Sequence, residues 1–134
     1  MRQVLLVVVC LIIALPSYAA DGKGAFFLGG GAGGVKCPEF VADMERARSK
    51  RFGTPAYVNV TQGFTMYILG FQSGYNMNKP DTYDIFPDDK GDYPLLSWVE
   101  NWCRARPTSR FGDGVIALAQ DRHFKRQRSA EPSK

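Results

Sequence analysis

Histidine occurs once in this chain, tryptophan twice and cysteine three times. The single histidine, His123, and two distant cysteines do not make a metal ligand set. No Ser or Cys has a plausible base beside it, so nucleophilic catalysis is not expected. Paired carboxylates such as Asp88 and Asp89 fall in a loop segment, which defines no glycosidase geometry. The chain therefore reads as a non-enzyme with no catalytic residue, cofactor or metal. His123 reads as a solvated residue of the basic C-terminal segment.

Long apolar runs are missing too. The longest, residues 4–15, has twelve residues, where a bilayer core needs about 20. No stable membrane insertion is expected. Neither charge sign dominates, since 17 Lys and Arg stand against 13 Asp and Glu for a net charge of +4.

What is present begins with a leader. Met1-Arg2-Gln3 is short and positive, the apolar run follows, and Pro16-Ser17-Tyr18-Ala19 ends it with Ser17 and Ala19 at the −3 and −1 positions. This is the three-part pattern of a secretory signal peptide over residues 1–19. Cys10 lies inside the apolar run behind Val9, which is not the small residue that lipoprotein processing prefers. Cleavage leaves one domain of about 115 residues, enough for a core. It also leaves Cys37 and Cys103 alone. Two cysteines in an exported protein most simply form one disulfide, the alternative being two buried thiols.

The charges are unevenly distributed. Acid gathers at Asp81, Asp84, Asp88, Asp89 and Asp92; base gathers at Arg46, Arg48, Lys50 and Arg51 and again at Arg122, Lys125, Arg126 and Arg128. An exported protein rarely meets nucleic acid, so none is expected as a partner. The basic end reads first as solvated, and contact with anionic lipid or an acidic partner is the alternative.

Residues 20–36 are glycine-rich and read as a flexible arm with a small apolar patch, Phe26-Phe27-Leu28. Gly29, Gly31 and Gly34 fit G-x-G-x-x-G. Pro38 follows closely and no βαβ pattern surrounds them, which argues against dinucleotide binding.

Helical periodicity then takes over. A first helix is expected over residues 38–50, with Phe40, Val41, Met44 and Ala47 on its apolar face and Pro38 in its first turn. A second is expected over residues 61–76, with Thr61 as N-cap and Phe64, Tyr67, Ile68, Phe71 and Tyr75 facing inward. Residues 78–91 read as a loop that anchors Tyr83, Ile85 and Phe86 on the core. Its carboxylates lack calcium-loop spacing. A third helix, from residues 92–94 to about 106, turns Leu95, Leu96, Val99, Trp102 and Cys103 inward. Pro107 stops it. Thr108 or Ser109 caps a fourth, with Phe111, Val115, Leu118 and Ala119 on one face. Residues 127–134 read as a disordered polar tail.

The expected fold is an all-α, four-helix bundle over residues 37–126, tied by one disulfide from the start of the first helix to the end of the third. The expected core is Phe40, Met44, Phe64, Ile68, Phe71, Leu95, Val99, Trp102, Val115 and Leu118.

Three stretches add a resemblance. Cys37-Pro38-Glu39-Phe40, the run from Tyr67 to Asn76, and the run from Trp98 to Pro107 resemble HdeA/HdeB-like periplasmic proteins, as does the run from Phe111 to Leu118. The resemblance covers about residues 37–119. It implies a small helical acid-stress chaperone of the bacterial periplasm with one disulfide, Cys37 to Cys103. Its clients would be unfolded or acid-stressed periplasmic proteins, and a homodimer is compatible with it. The second function class is a binding module, an immunity or inhibitor protein that recognises one protein partner. In either case the candidate client- or partner-binding residues are Phe64, Tyr67, Phe71, Tyr75, Trp98 and Trp102.

Overall fold

A computed structural model describes residues 30–89 and 91–130 of the chain. The expected signal peptide, the first part of the glycine-rich segment and the last four residues lie outside the described residues. Four helices make the domain: α1 (Cys37–Arg48), α2 (Pro55–Asn78), α3 (Asp92–Arg104) and α4 (Phe111–Arg122), with short 3-10 turns at Gly31–Gly34 and His123–Lys125. Among the described residues there is no strand, and two isolated bridges pair Lys36 with Arg110 and Asp84 with Gln127.

The helices form where composition and punctuation permit. In α1, Pro38 occupies the first turn, and Phe40, Met44 and Ala47 recur on one buried face. In α2 the expected start was too late. Thr54 caps it, its side-chain oxygen accepting from the Tyr57 amide at 3.4 Å, and Pro55 opens it. Thr-Pro is a favourable cap and first residue, because the proline lacks an amide hydrogen that would be unpaired there anyway. Thr61 is instead buried within the helix, where its hydroxyl donates to the Tyr57 carbonyl at 3.2 Å. The resulting 24-residue helix is about 36 Å long. It contains no Asp, Glu, Lys or Arg. No helix among the described residues is long and apolar enough to cross a membrane.

Three phenyl rings sit where α1, α2 and α4 converge. Phe40, Phe64 and Phe111 lie 4.6–4.9 Å apart, centroid to centroid, within the range of favourable aromatic pairs. Met44, Ile68, Leu95, Leu96, Val99, Val115 and Leu118 complete the buried centre. Phe71 and Trp102, expected in the core, are only half-buried at its edge. Phe111, Ile85 and Leu96, read as facing inward though not named in the expected core, are fully buried. Cys37 and Cys103 form the disulfide, joining the first residue of α1 to the last turn of α3 with a Cα–Cα distance of 5.0 Å.

Segments read as loose at both ends are docked. Residues 31–36 lie against α2 and α4: the Cys37 amide donates to the Ser109 carbonyl at 2.9 Å and the Phe111 amide to the Val35 carbonyl at 2.8 Å. Gly33 is buried beneath Tyr67, where a Cβ would stand 2.3 Å from the ring. Only a glycine permits that approach without displacing the ring. At the other end, Gln127 exchanges backbone bonds with Asp84 at 2.8 and 3.1 Å. The middle loop does bury Ile85 and Phe86, whereas Tyr83 is 55% exposed because its amide, rather than its ring, makes the attachment. For α4 the cap is Arg110, not Thr108 or Ser109. The Asp113 carboxylate reaches back to the Arg110 amide at 3.0 Å and holds that end closed.

Candidate functional site

The charged residues of α1 and α3 build one compact network. Glu100 is buried, and its two oxygens accept from Arg48 Nη1 and Arg104 Nη2, each at 2.6 Å. Arg104 also reaches Glu45 at 2.9 Å. Both ends of α1 are therefore tied to the second half of α3: Cys37 by a covalent bond, Arg48 by an ion pair. Burial pushes the Glu100 carboxyl up, but hydrogen bonds and charge from Arg48 and Arg104 outweigh it and hold it below its ordinary value. A carboxylate satisfied in this way stabilises the fold only while it stays ionised.

The aromatic residues expected to bind clients do not form one surface. Phe64 is buried in the core, and Tyr67 packs its ring 5.7 Å from Phe111. Burial, with the Asp113 charge nearby, raises the Tyr67 hydroxyl above its ordinary pKa. Phe71 and Tyr75 pair at 5.9 Å further along α2. Trp98 and Trp102 lie on α3, half-buried against the core; Arg106 stacks over Trp102 at 4.7 Å, and Gly114 leaves room for its indole. These groups are held inside or at the margin of the folded domain.

His123 is not a solvated tail residue. Its Nδ1 lies 2.9 Å from the Tyr75 hydroxyl, and its ring packs against Tyr75 and Phe124. Desolvation, followed by Arg126, Lys79 and Arg128, pushes the imidazole pKa down. Next to it, Arg126 donates to the Asp81 carbonyl and the Thr82 hydroxyl, each at 3.1 Å.

Two exposed features were not read from the sequence. The outer side of α2 presents Met66, Leu69 and Met77, the last 84% exposed, with open space above Gly63, Gly70 and Gly74. The absence of any charge in α2 was the available signal, since a surface helix ordinarily carries charge on its outer face. The second feature is a cleft of about 420 Å³ lined by Arg48, Lys50, Phe52, Tyr57 and Tyr93. Phe52 lies 5.0 Å from Tyr57 and 5.7 Å from Tyr93. Among the described residues, no group of three or more His, Cys, Asp or Glu could hold a metal ion. No family model matches this chain, and no curated protein or solved structure matches it either.

Proposed function

We propose that this protein is an exported, periplasmic acid-stress holdase, as its resemblance to HdeA/HdeB-like proteins implies. The observation that supports this reading is the double attachment of α1 to α3. Acid protonates Glu100 and removes the ionic tie at Arg48, while the Cys37–Cys103 bond persists. Without Arg2, which leaves with the signal peptide, 13 carboxylates stand against 16 Lys and Arg, so acid also leaves the cations unopposed and self-repulsion rises. The helices then part without separating. Phe40, Phe64, Phe71 and Trp102 become available to unfolding clients, in the manner of an expanded acid state with accessible apolar surface.

The test is client protection across pH. Light scattering from several unrelated aggregating proteins should fall in the presence of the domain between about pH 2 and 4, where carboxylates titrate, and not at pH 7. Binding of a hydrophobic dye should rise over the same interval. A domain that stays closed in strong acid, or opens without protecting any client, overturns the reading.

A second reading rests on the outer side of α2. Its exposed Met66, Leu69 and Met77 fit a module that binds one protein partner at neutral pH. Such a module captures a single protein at pH 7 and protects none of the unrelated clients.

A further inference from the structure

The cleft beside the loop between α1 and α2 combines two kinds of group. One wall is aromatic. Phe52 is 63% exposed although it touches two other rings, and Tyr93 is 43% exposed at the start of α3. Tyr57, at the base, is buried. The rim is cationic. Arg48 is 40% exposed beyond its pairing with Glu100, and Lys50 follows in the turn that leads to Phe52. Among the described residues of this rim and its ion-pair network, the charges of Arg48, Arg104, Glu45 and Glu100 cancel, and Lys50 leaves a net positive sign.

We propose that this cleft binds a small organic anion with a flat aromatic body, an aryl carboxylate being the simplest example. The Phe52 and Tyr93 rings stand at 84°, so the body would stack on one of them and meet the other edge-on, and the carboxylate would meet Lys50 and the outer edge of Arg48. The volume, about 420 Å³, falls within the usual range of about 300–1,000 Å³ for small-molecule sites. Charge decides the ligand's sign. Clustered aromatic rings also suit quaternary ammonium ligands, but the unpaired charge of Lys50 on the rim disfavours them. A neutral aromatic compound would gain the stacking and forgo the ion pair. The proposal is independent of acid opening, because the cleft exists in the closed domain.

The probe is 2-naphthoate, titrated at pH 7 into the intact disulfide-bonded protein and followed by calorimetry and by backbone amide shifts. With about 13 non-hydrogen atoms and the efficiency of ordinary ligands, saturation is expected with a Kd near 1 mM. The largest shifts should fall at Lys50, Phe52 and Tyr93. The neutral isostere 2-naphthylmethanol should bind about fivefold more weakly, the scale of an exposed ion pair, and 2-naphthylmethylamine more weakly still. Lys50→Ala should reduce the carboxylate to the affinity of the alcohol and leave the alcohol unchanged. Phe52→Ala should weaken both by about tenfold, as loss of an aromatic contact does. Phe52 and Lys50 are exposed, so both variants should fold; an unchanged circular dichroism spectrum verifies this. No saturation up to about 10 mM, ten times the expected Kd, overturns the proposal. So does equal binding of the acid, alcohol and amine, or binding indifferent to Phe52→Ala.

Discussion

Arg48, the last residue of α1, and Glu100, within α3, meet at 2.6 Å although 52 residues separate them in the chain. Glu100 has a folded pKa below its ordinary value of 4.5. Its contribution to stability is therefore fully present above that value and is lost as pH falls through the lower, folded one. Glu100→Gln should cost about 2 kcal/mol at pH 7, the scale of a charge-assisted hydrogen bond made by a buried carboxylate. The same substitution should cost far less in strong acid, where the wild-type carboxyl is already neutral. Urea unfolding of both proteins at pH 7 and near pH 2 measures the difference. An equal loss at both values would mean that Glu100 acts by packing alone.

Gly33 and Gly70 should respond oppositely to alanine. At Gly33 a Cβ would lie 2.3 Å from the Tyr67 ring, so Gly33→Ala must displace the ring or undock residues 31–36. Overpacking of this kind costs about 1–3 kcal/mol. At Gly70 nothing lies within 4 Å of a built Cβ. Gly70→Ala should stabilise α2 by about 0.5–1 kcal/mol through helix propensity. Thermal melts of the two variants should move in opposite directions.

Phe111→Ala should cost about 3–5 kcal/mol, because the side chain is fully buried between Phe40 and Phe64 and its loss leaves a cavity. Trp102→Ala should cost less, since Trp102 is only half-buried under Arg106. Denaturant midpoints at matched slope test the ranking. Equal losses would place Trp102 in the core after all.

The C-terminal turn should loosen before the bundle does. The folded pKa of His123 lies below its ordinary value of 6.5. What neutral His123 contributes is therefore present above 6.5 and is lost as pH falls through the lower folded value. Exchange protection of the Arg126 and Gln127 amides, which bond to His123 and Asp84, should drop in mild acid while amides of α1 and α3 stay protected. His123→Gln should remove this early step. Simultaneous loss of protection everywhere would show a single cooperative transition.

The sequence carried the helical architecture because amphipathic spacing is local. Phe40, Met44 and Ala47 in α1, and Leu95, Leu96 and Val99 in α3, repeat at intervals that any helix must present to one side. The disulfide was legible from the cysteine count. The start of α2 was not, because Thr54-Pro55 serves equally as the end of one segment and the beginning of the next. Long-range meetings were also hidden. Gly33 owes its burial to Tyr67, Glu100 its partner to α1, and His123 its setting to Tyr75. No period within one segment encodes these distances. The aromatic cleft likewise draws Phe52, Tyr57 and Tyr93 from three places in the chain.

The Cys37–Cys103 bond closes a ring and leaves two ends outside it, the residues before Cys37 and an arm after Cys103. The ring runs through α1, α2 and α3 and is closed covalently across a sequence separation of 66 residues. By chain entropy alone, closure of such a ring is worth about 4 kcal/mol to the folded state. The arm is α4 with the turn beyond it, and no covalent closure reaches past Cys103. When attraction between the helices weakens, the two parts have unequal freedom. The ring can only breathe, whereas the arm can swing away about the residues that follow α3. Phe111 would leave with the arm, and Phe40 and Phe64 would remain in the ring, newly uncovered. In the proposed acid cycle, return to neutral pH would find the three helices of the ring still joined, and the arm would reseat against them together with residues 31–36.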